Sequence, residues 1–389
     1  MTEGQAKNVA ILGSTGSIGR SALEVIRASG GRLRLVALSA HTRLTEAIGQ
    51  CREFQPRWLV ATSPMAAAAA DFSNLPASTE CRVGVDELER MAGSPDIDIV
   101  VSAIVGIAGL RGTLAALAAG KRVALANKES LVVAGSLVMR SAREKGGKII
   151  PVDSEHSALF QAMAAGRRDE VQRIILTASG GPFLRHTPEQ LAGVTVDQAL
   201  AHPTWKMGPK ITIDSATMLN KALEIIEARW LFDLPPEKIQ VMIHPQSVVH
   251  SMVEFRDGAV IAQLSPPDMK LPIQYALHFP ERVAGVAHKM DWTQRMRLDF
   301  EPPDPEQFPA VELGLEVARA GGTAGAVLNA AKEAAVDGFI SGNMAFHEIV
   351  PACRAVVQHH TFDAAPDLDR LWELDAWARE EVNRWVCTS

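Results

Sequence analysis

The chain has 389 residues, with 39 Lys and Arg against 45 Asp and Glu, a formal net charge of −6. That length exceeds a single hydrophobic core, so two or three domains are expected. The acidic balance argues against a general nucleic-acid binder. Apolar residues make up 47% and charged residues 22%, which is the composition of a soluble globular protein.

The first predicted element is a short apolar strand, Asn8 to Leu12, which runs into Gly13-Ser14-Thr15-Gly16-Ser17-Ile18-Gly19 and then a helix, Ser21 to Ala28. This is a spacing variant of the dinucleotide fingerprint. Its glycines allow a tight turn and let the backbone approach a pyrophosphate at a helix N-terminus. The next strand, Leu33 to Ser39, is followed by Ala40-His41-Thr42-Arg43. A protein built for NAD usually places an acid here for the ribose 2′-hydroxyl. None is present, which predicts NADP. Arg43 fits a 2′-phosphate and equally fits an ordinary surface arginine.

Strand and helix alternate onward through Trp58–Thr62, a helix at Met65–Ala70, Ile97–Ala103, Arg122–Ala126 and Lys148–Val152. The expected architecture is a Rossmann-like, doubly wound parallel sheet. The most apolar stretch, residues 99 to 119, is broken by glycines and Arg111, so a buried strand and helix explain it better than a membrane span. Asn127-Lys128-Glu129-Ser130 follows a strand directly and belongs to the ligand-binding edge. Lys128 is either a ligand contact or part of a helix cap. Asp153 and Glu155 follow the last strand, and as residues i and i+2 of an extended chain they would point the same way. Two such carboxylates suit a hard divalent cation, with Glu224 as a third oxygen ligand; alone they read equally well as solvated acids at a turn.

Arg173 to Ala178 is another strand, ending in Ser179-Gly180-Gly181, which reads as a phosphate cradle or a plain turn. In residues 202 to 229, Trp205 lies in a loop between Pro203 and Gly208-Pro209, Lys210 to Ile213 is β-like, and Asp214 or Ser215 caps a helix reaching about Phe232. On that helix Leu219, Leu223, Ile226 and Trp230 form the core stripe, with Asn220, Glu224 and Glu227 beside it. Residues 203 to 210 are expected to form a closing lid, with His202 at its base. Three further strands follow, at Gln240–Ile243, Ser251–Phe255 and Ala259–Leu264. After prolines at 302, 303, 305 and 309 the pattern is helical to the end, with segments near 311–320, 323–340, 346–358 and 366–386.

Cys51, Cys81, Cys353 and Cys387 form no CxxC and read as free thiols of a reducing compartment. The first residues, MTEGQAK, carry no signal-peptide apolar region, so a cytoplasmic location is expected.

Taken together, GSTGSIG (13–19), ANKES (126–130), PVDSEH (151–156), SGGPF (179–183), HPTWKMG (202–208), DSATMLNKALE (214–224) and HPQSVVHSMVEF (244–255) resemble the 1-deoxy-D-xylulose 5-phosphate reductoisomerase family, in its order and across most of the chain. The resemblance implies an NADPH-binding domain over residues 1–150. It further implies a catalytic and dimerising α/β domain over 151–300, a linker over 301–310 and a helical domain over 311–389. It implies Mg²⁺ or Mn²⁺ on Asp153, Glu155 and Glu224. The sugar phosphate would meet Ser154, Glu155, Ser179, His202, Trp205, Ser215, Asn220, Lys221 and Glu224, with Lys128 and His202 sharing in catalysis. NADPH would meet the loop residues Gly13, Ser14, Thr15, Gly16, Ser17 and Ile18, then Arg43, Ala103, Asn127, Lys128, Glu129 and Gly208. Two departures stand out: Ala222 where the family commonly has glycine, and His41-Thr42-Arg43 where it usually has a Gly-Lys-Asn-like turn. A semialdehyde dehydrogenase using a catalytic cysteine, or a non-catalytic dinucleotide sensor, are the rival readings.

Overall fold

The structure is a computed structural model and describes residues 6–201, 204, 205 and 208–388. The chain begins β1 (Lys7–Leu12), α1 (Ser17–Arg27), β2 (Leu33–Ala40), α2 (Leu44–Phe54), β3 (Trp58–Ala61), α3 (Pro64–Ala69), β4 (Glu80–Val83) and α4 (Val85–Gly93). It continues β5 (Ile99–Ser102), α5 (Gly109–Ala118), β6 (Arg122–Leu125), α6 (Glu129–Lys145), β7 (Lys148–Pro151) and α7 (Ser154–Ala162). Next come β8 (Val171–Ala178), α8 (Pro188–Leu191), α9 (Val196–Leu200), α10 (Pro209–Ala216) and α11 (Leu219–Leu231). Then follow β9 (Ile239–Ile243), β10 (Val249–Phe255), β11 (Val260–Leu264) and α12 (Lys270–His278). The last helices are α13 (Pro309–Ala320), α14 (Ala324–Ile340), α15 (Ile349–His359) and α16 (Leu368–Thr388).

Two compact units result. The first comprises the chain up to Ser130, Val138–Ser157 and Asp268–His288; the second comprises Leu131–Leu137, Ala158–Pro267 and the chain from Lys289. In the first, seven strands form one sheet in the order β4-β3-β2-β1-β5-β6-β7, and every pair is parallel. Its central strands are apolar on both faces: Val9, Ala10, Ile11 and Leu12 are all fully buried, as a sheet covered by helices on both sides requires. The order reverses between β1 and β5, the switch point where such sheets bind ligands. α12 belongs to this unit, where Lys270 pairs with Glu24 of α1 at 2.7 Å.

In the second unit the sheet order is β11-β10-β8-β9, with β8 and β9 parallel and the other pairs antiparallel. A single core joins this sheet, α11 and helices α13 to α16. Among the described residues no helix is long and apolar enough to cross a membrane.

Three local expectations are corrected. Lys210–Ile213 is helical, not extended: Gly208 precedes Pro209, whose fixed φ starts α10 at its first position. The expected single helix from Asp214 or Ser215 to Phe232 is two helices. Thr217 Oγ1 bonds back to the Ile213 and Asp214 carbonyls at 3.0 and 3.2 Å, and Met218 turns left-handed at φ 61° before α11 begins. Finally, Asp153-Ser154-Glu155 is no extended continuation of β7. Asp153 Oδ1 accepts the backbone N–H groups of Glu155 (3.2 Å) and His156 (3.4 Å), so it caps α7, and Glu155 stands in that helix's first turn.

Candidate active site

In the first unit, β1 delivers the glycine loop at the switch point. Gly13 has φ +85°, and a Cβ there would lie 2.8 Å from the Ala103 carbonyl at the end of β5. A Cβ on Gly19 would lie 2.5 Å from both the Gly13 and Ser14 carbonyls. Only glycine lets loop and helix lie this close, and the N-terminus of α1 beneath it favours anions. Ser14 and Thr15 are buried, whereas Ser17 is exposed and Ile18 partly so. Gln50 of α2 donates Nε2–H to the Ser14 carbonyl at 3.2 Å, fixing the loop from below.

After β2, Arg43 is half exposed at the start of α2 with Nη1 3.7 Å from Glu46. Glu46 is engaged by Arg20, Nε–Oε1 2.6 Å and Nη2–Oε2 2.9 Å. That hydrogen bond holds the Glu46 carboxyl below its ordinary range. Glu46 is therefore committed to a guanidinium.

After β6, Asn127 donates to the Gly106 carbonyl at 2.9 Å and to Glu129 Oε2 at 2.7 Å, and accepts the Ser130 N–H at 3.0 Å. Asn127 thus ties the start of α6 to the loop after β5. Lys128, buried, places Nζ 3.0 Å from Asp153 Oδ2. The other oxygen, Oδ1, lies 2.9 Å from His156 Nδ1. A carboxylate only accepts, so Nδ1 carries the proton. Ser154 donates its hydroxyl to Glu155 Oε2 at 2.6 Å. The first unit therefore gathers Lys128, Asp153, Ser154, Glu155 and His156. Sequence reasoning gave His156 no role, although a histidine three residues past a helix cap is placed to reach it.

In the second unit the Ser179 turn and α10 are brought together. Gly180 and Gly181 are left-handed, and a Cβ on Gly181 would lie 3.1 Å from the Ala216 Cα and the Ser215 carbonyl. Ser179 Oγ accepts the Gly181 N–H at 3.1 Å. Just past the left-handed Met218, Asn220 and Lys221 stand in the first turn of α11, and both donate to Glu224. Lys221, Glu224 and Glu227 are almost fully buried, so this helix is enclosed beyond its apolar stripe. Met218 is a non-glycine residue at φ 61°, a locally strained backbone position between Ser215 and Asn220. Trp205 is partly buried with its ring 6.2 Å from that of His250, and Gly208 is exposed at the start of α10. His202, with Pro203, Lys206 and Met207 of the expected lid, lies outside the described residues. The lid's expected end is corrected: Pro209 and Lys210 are part of α10.

Among the described residues, Cys51, Cys81 and Cys353 are not built for nucleophilic catalysis. Burial pushes Cys51 and Cys353 up to about 12 and also raises Cys81. In the native protein near neutral pH, Cys51 and Cys353 should resist iodoacetamide, because the thiolate is the reactive form. Peptide mass spectrometry after brief alkylation checks this; rapid labelling of either overturns it.

A parallel sheet with a glycine-rich turn at its switch point, and carboxylates at the end of a later strand of the same sheet, defines a dinucleotide-binding α/β enzyme. Family models for the 1-deoxy-D-xylulose 5-phosphate reductoisomerase match residues 9–135, for its C-terminal domain residues 149–232, and for the DXP reductoisomerase C-terminal domain residues 264–381. The 1-deoxy-D-xylulose 5-phosphate reductoisomerase of Rhodopirellula baltica is 47% identical over 97% of this chain and 94% of its own. The Zymomonas mobilis enzyme of that name, solved with NADPH, superposes with a TM-score of 0.92 at 41% identity, over 99% of this chain and 100% of its own. A DOX-P reductoisomerase solved with NADPH, fosmidomycin and magnesium gives 0.91 at 39% identity, over 98% of each chain. The chain belongs to the 1-deoxy-D-xylulose 5-phosphate reductoisomerase family.

Proposed function

We propose that the protein converts 1-deoxy-D-xylulose 5-phosphate to 2-C-methyl-D-erythritol 4-phosphate, with NADPH and Mg²⁺ or Mn²⁺, in non-mevalonate isoprenoid synthesis. The observation that carries this reading is the family match along nearly the whole chain, which includes relatives solved with NADPH and magnesium. The residues present fit both groups. Gly13 and Gly19 leave a cradle that any Cβ would fill, and Asp153 and Glu155 offer the carboxylate oxygens a hard cation prefers. Glu224 is assigned as the third ligand.

When bound, the cation polarises the substrate carbonyl and adjacent hydroxyl, and NADPH supplies hydride after the carbon skeleton rearranges. The chain's part is position and charge. Lys128 and the protonated Nδ1 of His156 hold the two oxygens of Asp153, so that carboxylate is oriented in advance. Ser154 and Glu155 are assigned to the substrate backbone. Ser179, Ser215, Asn220 and Lys221, with His202, are assigned to its phosphate, which the first turn of α11 favours through its backbone N–H groups. Trp205 covers the substrate. Ala103, Asn127, Glu129 and Gly208 complete the NADPH contacts begun by residues 13–18 and Arg43, and Lys128 serves both ligands.

We assign cofactor binding to residues 1–150, catalysis and dimerisation to 151–300, and a helical support to 311–389 after the 301–310 linker, in a cytoplasmic homodimer. In support of dimerisation, the edge strand β11 leaves Val260 and Ile261 exposed; light scattering at twice the chain mass tests it.

Metal-dependent oxidation of NADPH driven by the pentulose phosphate tests the activity, with chelator abolishing it. NADH run in parallel should be poorer by about tenfold or more, since one charged hydrogen bond is worth about 1.5–3 kcal/mol. Arg43→Ala should narrow that gap. Equal kcat/KM for the two cofactors overturns the preference, and an unchanged gap in Arg43→Ala assigns the 2′-phosphate to another cation.

A further inference from the structure

α10 carries Ser215, and within the second unit two ion pairs of opposite sense fix α10 on α14. Lys210 Nζ of α10 lies 2.7 Å from Asp337 Oδ1 of α14. One turn further along α10, Asp214 Oδ2 lies 2.9 Å from Lys332 Nζ of α14. The order of partners reverses between the two helices, so they run antiparallel at this contact, and each gives one cation and one anion. Sliding α10 by a turn would separate both pairs or bring like charges together. The outer pair is half exposed, 50% on each side chain, whereas the inner pair is 5% and 7% exposed. An exposed pair holds weakly. A buried pair cannot be parted without leaving an uncompensated charge in the core. The inner pair is therefore the one that sets where α10 sits.

What α10 positions is the anion side of the site. Asp214 immediately precedes Ser215. Gly181 of the Ser179 turn rests on the backbone at Ser215 and Ala216. Thr217 and the left-handed Met218 then pass the chain to Asn220 and Lys221. A displaced α10 would move all of these groups together.

We propose that Lys332, acting through Asp214, is a positioning residue for binding the substrate's phosphate, an inference that rests on the phosphate assignment above. Lys332 is assigned no contact with the substrate. It holds the helix that carries Ser215, as supporting residues hold directly binding groups in preorganised sites.

The test uses the full chain and inorganic phosphate as the competing probe, with Ser215→Ala in parallel. Lys332→Met should raise KM for the sugar phosphate and the inhibition constant of inorganic phosphate by about ten- to a hundredfold, because small misplacements are costly. NADPH affinity should fall far less than phosphate affinity, since of its assigned contacts only Gly208 adjoins α10. The charge-swapped Asp214→Lys, Lys332→Asp protein should recover most of the loss, as coupled neighbours do. A folded Lys332→Met with both constants unchanged, even if less heat-stable, overturns the proposal provided Ser215→Ala weakens phosphate. If neither variant weakens phosphate, the phosphate assignment itself fails and this inference falls with it. Should Lys332→Met not fold, Asp214→Asn breaks the same inner pair from the α10 side with a side chain of nearly the same size and should raise both constants by about tenfold; unchanged constants there overturn the proposal.

Discussion

Glu224→Gln is expected to lower turnover by about a hundredfold or more, since a Lewis-acid site contributes several kcal/mol to the barrier. The substitution keeps the size of the side chain but removes the charge and turns one of its two acceptor oxygens into a donor. Glu224 is 1% exposed on α11 and accepts from Asn220 and Lys221. The proposed function assigns its carboxylate as the third ligand of the cation. With glutamine there, half-saturation by Mg²⁺ should shift to higher concentration along with the fall in kcat. A second consequence is separable. Lys221 is itself only 3% exposed and donates to Glu224, so neutralising Glu224 weakens a buried charged hydrogen bond, costing about 1–3 kcal/mol of stability. Melting curves measure that cost and metal titrations measure the other. Normal turnover with unchanged Mg²⁺ dependence would place Glu224 outside the metal site.

The large-scale plan was readable in the sequence because it rests on periodicity. Short β-branched runs alternating with helical stretches have few solutions other than a parallel sheet, and the strands at β1, β2, β3, β5, β6 and β7 lie within a residue or two of their expected bounds. β4 was not anticipated: Glu80-Cys81-Arg82-Val83 is an edge strand with little apolar content, so pattern alone does not mark it.

The errors sit around the candidate site, where local preference is overruled. Lys-Ile-Thr-Ile at 210–213 alternates like a strand, yet Pro209 starts a helix and the ion pairs from Lys210 and Asp214 to α14 keep it helical. The break at Thr217-Met218 has no glycine or proline to announce it; the Thr217 side chain and the packing of Met218 make it. At Asp153 a signal was present. An aspartate followed by an acid two residues later and then an apolar run is a helix start, and it competes with the reading of an extended pair of carboxylates. Lys332 carries no motif at all, because its partner is 118 residues away in sequence.

Gly19→Ala is expected to cost about a hundredfold or more in NADPH affinity, because displaced loop N–H groups lose charge-assisted hydrogen bonds worth about 1.5–3 kcal/mol each. The steric case is local to one unit. The added Cβ would lie 2.5 Å from the carbonyl oxygens of Gly13 and Ser14. Those atoms are backbone and cannot rotate away as a side-chain tip would. Gly13 cannot yield, since it is pinned in the left-handed region against Ala103. Ser14 is held by Gln50 from α2 and by its own N–H to the Ser39 carbonyl at 2.9 Å. The loop must therefore lift off α1, and lifting it moves the N–H groups that the proposed function assigns to the pyrophosphate. Gly49→Ala, in α2 where a Cβ meets nothing within 4 Å, is the control: it should bind NADPH normally and gain a little stability. Fluorescence titration of NADPH reads the affinity, and thermal melting separates a lifted loop from a lost fold. A Gly19→Ala protein that binds NADPH within about threefold of the parent, less than 1 kcal/mol, would mean that the loop does not hold the cofactor's phosphates.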